Sequence, residues 1–416
     1  MLKHSLGPAL GILLALLIGG CSPSSSEDLK DTPAASQERT QDPQPEEPQE
    51  PAKEPAANIS PLPEFPETIG GITVFSSVCE QQADAQGCLA SELKQREVTA
   101  ANVKDLSDAY GGPAAGEYYS TGNAEILTNA YVVRGNSPDL WLTRGSQAAA
   151  DFDNREIPSQ WVETRGDAQC ILHSTGIVPK GEEIPAGNTK SHKCQASGNG
   201  LTVMLYLKAD QDDALDWTQE LFDHFQSGAT EGATPAEQGS QSTQQDMDLP
   251  ELPNQIGSLG EQLATCKRTF PSALDNCLEK AAERQPILDA AVAELSAAYG
   301  GAQANGKNYA TEDFQHFAGA YTFIGQTPGL WLPDGNAAAA ERLNLELPRR
   351  WVETREDIQC VVFTLSTIEK SAKYNEEDFM VSNCQASING KTIFFETNAP
   401  RDRAFNWMRL LVDQVK

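Results

Sequence analysis

The chain has 416 residues, 39% of them hydrophobic, and its 59 acidic against 31 basic side chains leave a formal net charge of −28. A field of that sign repels nucleic-acid backbones and anionic lipid headgroups, so neither is expected as a partner.

In chain order, Lys3 and His4 precede an apolar run from Leu6 to Ile18, followed by Gly19, Gly20 and Cys21. Residues 1–20 read as a signal peptide, since the apolar run is too short to cross a bilayer as a helix. The stretch Ile18-Gly19-Gly20-Cys21 resembles the lipobox of bacterial lipoproteins. That resemblance implies that Cys21 is acylated, becomes the first residue of the mature chain and anchors it in the lipid bilayer. On the enteric sorting pattern, Ser22 in place of Asp implies the outer membrane, facing the periplasm.

Residues 21–66 contain ten prolines among Glu, Gln and Ser, with few large apolar side chains. Such a segment cannot bury enough surface to offset its ordering entropy, and it is expected to be a disordered tether.

Beyond the tether the sequence repeats. Trp161-Val-Glu-Thr-Arg165 recurs as Trp351-Val-Glu-Thr-Arg355, an offset of 190 that holds without a gap from Tyr119 onward. Gly135, Pro138, Leu140, Trp141 and Leu142 meet Gly325, Pro328, Leu330, Trp331 and Leu332, and Cys194-Gln-Ala-Ser197 meets Cys384-Gln-Ala-Ser387. This is a tandem duplication: domain 1 at 67–227, a flexible acidic linker at 228–255, and domain 2 at 256–416.

In each domain the spacing predicts a helix (99–110 in the first copy, beginning at Pro286 in the second), strands near 126–134, 160–165, 168–176, 191–198 and 201–208, and a closing helix at 212–226 or 401–415. Asn199-Gly200 and Asn389-Gly390 mark hairpins. The expected fold class is α+β, with two homologous domains, each an antiparallel β-meander flanked by helices. Setting Cys21 aside leaves four cysteines per copy. In an exported chain these are expected as local disulfides, Cys79 with Cys88, Cys170 with Cys194, Cys266 with Cys277 and Cys360 with Cys384, each stabilising by roughly 2–4 kcal/mol.

Three sets of residues invite a functional reading. The pentapeptide (Trp161, Glu163, Arg165; Trp351, Glu353, Arg355) is read as a fold element kept because both copies need it, with a twice-displayed binding motif as the rival. Trp141 and Trp331, on loops rich in Gly and Pro, are read as plugs at one end of each sheet or as binding loops. His173 and His192 come close in the expected strand register, but period two places them on opposite faces, and the second copy has Phe363 and Ser382 there. No metal, cofactor or catalytic residue is expected. The carboxylates of Glu163 with Asp167, and Glu353 with Asp357, are read as turn and surface groups. Together these features predict a non-enzymatic, membrane-anchored cell-envelope lipoprotein with a duplicated binding or assembly domain, its expected partner another envelope protein. The alternatives are a periplasmic small-ligand carrier or sensor, and an enzyme with an unfamiliar site.

Overall fold

Leu62 and Phe65 already pack against the first repeat's core, ahead of its first strand, and Leu252 does the same in the second repeat. The computed structural model describes residues 62–416, apart from 82–83, 124, 186, 230–248, 250, 270–273 and 376–377. The signal peptide, Cys21, nearly all of the tether and most of the linker lie outside the described residues. No helix among the described residues is long and apolar enough to cross a membrane.

The first repeat runs β1 (Thr68–Ile69), β2 (Ile72–Val74), α1 (Phe75–Cys79), α2 (Ala85–Tyr110), β3 (Ala114–Ser120), β4 (Leu127–Arg134), α3 (Gln147–Phe152), β5 (Gln160–Arg165), β6 (Ala168–Ser174), β7 (Thr189–Gly198), β8 (Leu201–Tyr206) and α4 (Gln211–Ala229). The second repeats it with β9 (Gln255–Ile256), β10 (Leu259–Glu261), α5 (Gln262–Thr269), α6 (Leu274–Ala298), β11 (Ala304–Thr311), β12 (Phe317–Ile324), α7 (Ala337–Arg342), β13 (Arg350–Arg355), β14 (Ile358–Thr364), β15 (Phe379–Ile388), β16 (Lys391–Thr397) and α8 (Arg401–Val415). The fold is mixed α/β: two similar domains, each with an eight-stranded antiparallel sheet, four helices among the described residues, and two disulfides.

The strand order is β1-β2-β3-β4-β8-β7-β6-β5, matched in the second copy. It departs from the single meander expected. Two four-stranded meanders meet where β4 pairs with β8, because the chain leaves β4 through the tryptophan loop and returns at the far edge as β5. The turn Asn199-Gly200 between β7 and β8 has φ of 52° and 77°, and Asn389-Gly390 has 51° and 76°. Positive φ at both central residues is the hairpin geometry that matches strand twist.

Period two gives each sheet two buried faces. On one, Cys170, Leu172, Cys194, Ala196, Val203 and Leu205 pack against Leu221, Phe222 and Phe225 of α4. On the other, Tyr131, Val133 and Met204 meet Leu106 of α2. The two disulfides of each repeat divide the same way. Cys170–Cys194 and Cys360–Cys384 bridge directly opposed residues of neighbouring strands, while Cys79–Cys88 and Cys266–Cys277 tie a short helix to the long one.

Two helix expectations need correction. Helix α2 begins at Ala85, not 99, with the Asp84 carboxylate accepting from the Gly87 N–H at 3.0 Å, and it ends at Gly111 with φ 65°. Pro286 lies inside α6, not at its start. An interior proline forfeits one backbone hydrogen bond, and here the turns before it are tied to α5 by Cys266–Cys277.

Candidate functional site

The loop after β4 is pinned to its own sheet by groups that both copies share. The Gly135 N–H donates to the Gly200 carbonyl at 2.8 Å, and the Thr202 hydroxyl donates to the Gly135 carbonyl at 2.8 Å. The Gln195 amide donates to the Pro138 carbonyl at 2.7 Å, and the Leu140 N–H donates to the Gln169 side chain at 2.8 Å. Gly325, Thr392, Gln385, Pro328, Leu330 and Gln359 make the same set of bonds in the second copy. Gly, Pro and the Gln of the Cys-Gln-Ala-Ser stretch are therefore kept twice because they aim this loop.

Each loop is aimed at the other repeat. Trp331 stacks edge-on against Tyr131 and Tyr206 of the first repeat, with ring centroids 5.1 and 5.4 Å apart. Trp141 packs edge-on against Tyr321 and tilted against Phe394 of the second, at 5.7 and 5.3 Å. The backbone exchange is also reciprocal: the Gly329 N–H donates to the Ala109 carbonyl at 2.8 Å, and the Asp139 N–H to the Ala298 carbonyl at 3.2 Å. Helix α2 touches α7, and α6 touches α3. Patch i meeting patch j while j meets i is the signature of an isologous, pseudo-two-fold interface. The two repeats belong to one compact unit spanning 58–416, and each tryptophan completes the other repeat's second core.

The two halves differ at a few positions. Buried Asn102 donates to the Tyr131 hydroxyl at 2.6 Å and accepts from Asn336 at 2.6 Å, and its backbone carbonyl accepts from the Trp331 indole at 3.1 Å. Its counterpart is Ala291, so the polar hub exists on one side of the axis.

Between the halves lies a partly open cavity of about 440 Å³, walled by Trp141, Trp331, Tyr110 and Tyr299 and carrying Lys193 and Glu396. Small-molecule sites typically occupy about 300–1,000 Å³ with apolar walls and a few polar groups. Lys193 is half-buried against neighbouring protein, and burial pushes its ammonium down to about 8. Burial pushes the Glu396 carboxyl up, opposed by a hydrogen bond from Thr143 and by the charge of Arg144, both from the first repeat. Lys193 pairs across strands with Tyr206, and Asn383 with Glu396. The equivalent cross-strand pair is thus Lys–Tyr in one copy and Asn–Glu in the other.

The pentapeptides sit away from this cavity, on the edge strands β5 and β13. Trp161 and Trp351 pack against the α4 and α8 cores. Arg165 bonds Asp212 and, at 2.7 Å, Asp216 on α4, while Arg355 bonds Glu353 and Asp402, each at 2.8 Å. Glu353 also pairs with Arg401 at 3.3 Å. The arrangement latches an edge strand to the closing helix.

The two-face expectation for His173 and His192 is corrected. A register shift between Ile171 and Leu172 lets two residues of β7 oppose one of β6, and the rings lie 6.4 Å apart between centroids. Such a bulge re-aims side chains. His192 then lines a second cleft of about 510 Å³ between the repeats, with Lys208, Arg349 and Arg350. Burial, with the nearby charges of Arg350, His173, Lys208 and Lys193, holds its pKa down. No group of three metal-ligating side chains occurs among the described residues. Neither the inter-repeat destination of the tryptophans nor Lys193 and Glu396 were marked by the sequence reading; the signal available for the latter was a charge at one copy and none at its 190-offset counterpart. No family model, curated protein or solved structure matches the chain.

Proposed function

We infer that the chain is a non-enzymatic lipoprotein of the cell envelope, anchored through acylated Cys21 in the outer membrane and facing the periplasm, and that its two repeats act as one small-ligand carrier or sensor. The cavity between the repeats carries this reading: it is built from both copies, walled by aromatic rings, and holds charged groups that the duplicate position lacks. The four disulfides agree with an oxidising compartment beyond the inner membrane. A second reading, an adaptor for another envelope protein, rests on the tether and the duplication. It draws less support from the interface, because the tryptophan loops that would have been two docking heads are engaged with each other's repeat.

The test is to isolate the lipidated protein from its own membranes in mild detergent and to record native mass spectra. A co-purified small molecule at one per chain supports the carrier reading. A stoichiometric protein partner with no small molecule moves the function to the adaptor. Radiolabelled palmitate entering wild type but not Cys21→Ser checks the anchor.

A further inference from the structure

We propose that the cavity between the repeats binds a small zwitterion with an apolar body, an α-amino acid or short peptide by chemical class, its anionic group on Lys193 and its ammonium group on Glu396. The proposal rests on the carrier reading and names the ligand of that same cavity.

Among the described residues, no carboxylate lies within ion-pair distance of Lys193. Burial is the cause of its lowered pKa. Its ammonium lies over the Tyr206 ring, 6.0 Å from the centroid, and a partly desolvated charge with no carboxylate partner is costly, so a fold that needed only packing would carry an apolar side chain there. The other copy shows that the fold tolerates the change: Asn383 replaces the lysine and Tyr206 replaces the glutamate. Opposite charges set apart in one cavity complement a molecule with opposite charges at its two ends.

Two further observations narrow the class. The cavity walls include the indole rings of Trp141 and Trp331 and the phenol rings of Tyr110 and Tyr299, which accept an aromatic or branched apolar group. The protein's net charge of −28 opposes the approach of a free anion, whereas a zwitterion carries no net charge through that field.

The experiment is titration calorimetry of the full chain in mild detergent. The probes are L-phenylalanine and L-leucyl-L-phenylalanine, each compared with 3-phenylpropanoate and 2-phenylethylamine. At least one zwitterion is expected to bind at one per chain, with both monofunctional compounds about tenfold weaker or more, the loss expected when one hydrogen-bonded charge goes unmatched. Lys193→Met and Glu396→Gln should each weaken the zwitterion by a similar factor. Both should remain folded, with Lys193→Met unfolding at a urea concentration equal to or higher than wild type, since a partly desolvated charge without a carboxylate partner has been removed. Three results overturn the proposal: no zwitterion binds, the acid alone binds as tightly as the zwitterion, or the variants bind like wild type. If mass spectra of the native protein then reveal a small molecule of another class, the carrier reading stands and this ligand class falls. If neither a native ligand nor any probe is found, both fall.

Discussion

Lys193 stands where the other copy has Asn383, and its protonation gives this single difference a signature in solution. Burial pushes its ammonium from the ordinary 10.5 down to about 8. Between those two pH values the unfolded chain holds a proton that the folded chain has released, so the folded state gains stability as pH rises through that window. Below about 8 both states are charged and the lysine makes its least favourable contribution. The tyrosines act in the opposite sense. Burial pushes Tyr110 up to about 12 and also raises Tyr131 and Tyr206, so above their ordinary value of 10 the unfolded chain loses protons first and stability falls. Tyr206 opposite on β8, Tyr110 from α2 and Arg350 from β13 are common to wild type and Lys193→Met, and His192, whose pKa the lysine's charge helps to hold down, titrates below the window, so a comparison of the two above pH 8 isolates the lysine. The expected result is that the variant's advantage in urea midpoint narrows between pH 8 and 10. A constant difference across that range would show that the amine is not desolvated.

Among the elements, the edge strand carrying the pentapeptide separates packing from charge. Trp161 packs on the α4 core, and its truncation to Ala should cost about 3 kcal/mol, the low end for a large side chain because the ring is partly buried. Arg165 reaches Asp212 and Asp216 at the exposed surface, where ion pairs contribute little. Arg165→Ala should leave the urea midpoint within experimental scatter. Equal losses from the two variants would mean that the latch, not the indole, holds β5. The same strand shows what the sequence made legible. Alternation and the Asn-Gly turns mark β5 to β8, and a letter-for-letter repeat marks the second copy. Strand β3 escapes because Ala114-Ala-Gly-Glu-Tyr-Tyr-Ser120 has no clean alternation. It is a strand because β2 and β4 pair with it, and Gly116 is there because a Cβ would come within 2.8 Å of Tyr131 and 3.0 Å of Thr99 on α2. Gly306 repeats the device under Val292. The bulge at His192 and the destination of the tryptophans depend on partners distant in the chain, which local periodicity does not encode.

At the scale of the whole molecule, duplication has produced one body with one axial cavity, so ligand stoichiometry should be one per chain even though the domain occurs twice. The same geometry predicts what happens when the covalent connection is removed. Each repeat has its own helix-on-sheet core and two disulfides, while the interface supplies each with an aromatic side chain that completes its second core. A protease site placed between 231 and 248 should therefore yield two halves that still elute together, held by the reciprocal tryptophans and the paired backbone bonds at Gly329 and Asp139. Losing the linker lowers the effective concentration of one half for the other, so the halves should separate on dilution. Trp331→Ala removes both the ring contacts with Tyr131 and Tyr206 and the hydrogen bond to the Asn102 carbonyl, whereas Trp141→Ala removes ring contacts with Tyr321 and Phe394. Trp331→Ala should thus release the halves at the higher concentration of the two, and the double variant should release them at every concentration that size-exclusion chromatography can follow. In the uncut chain the double variant should turn one cooperative urea transition into two, one for each repeat. Cleaved wild-type halves that separate immediately would show that the linker, and not the tryptophan exchange, makes the two repeats a unit.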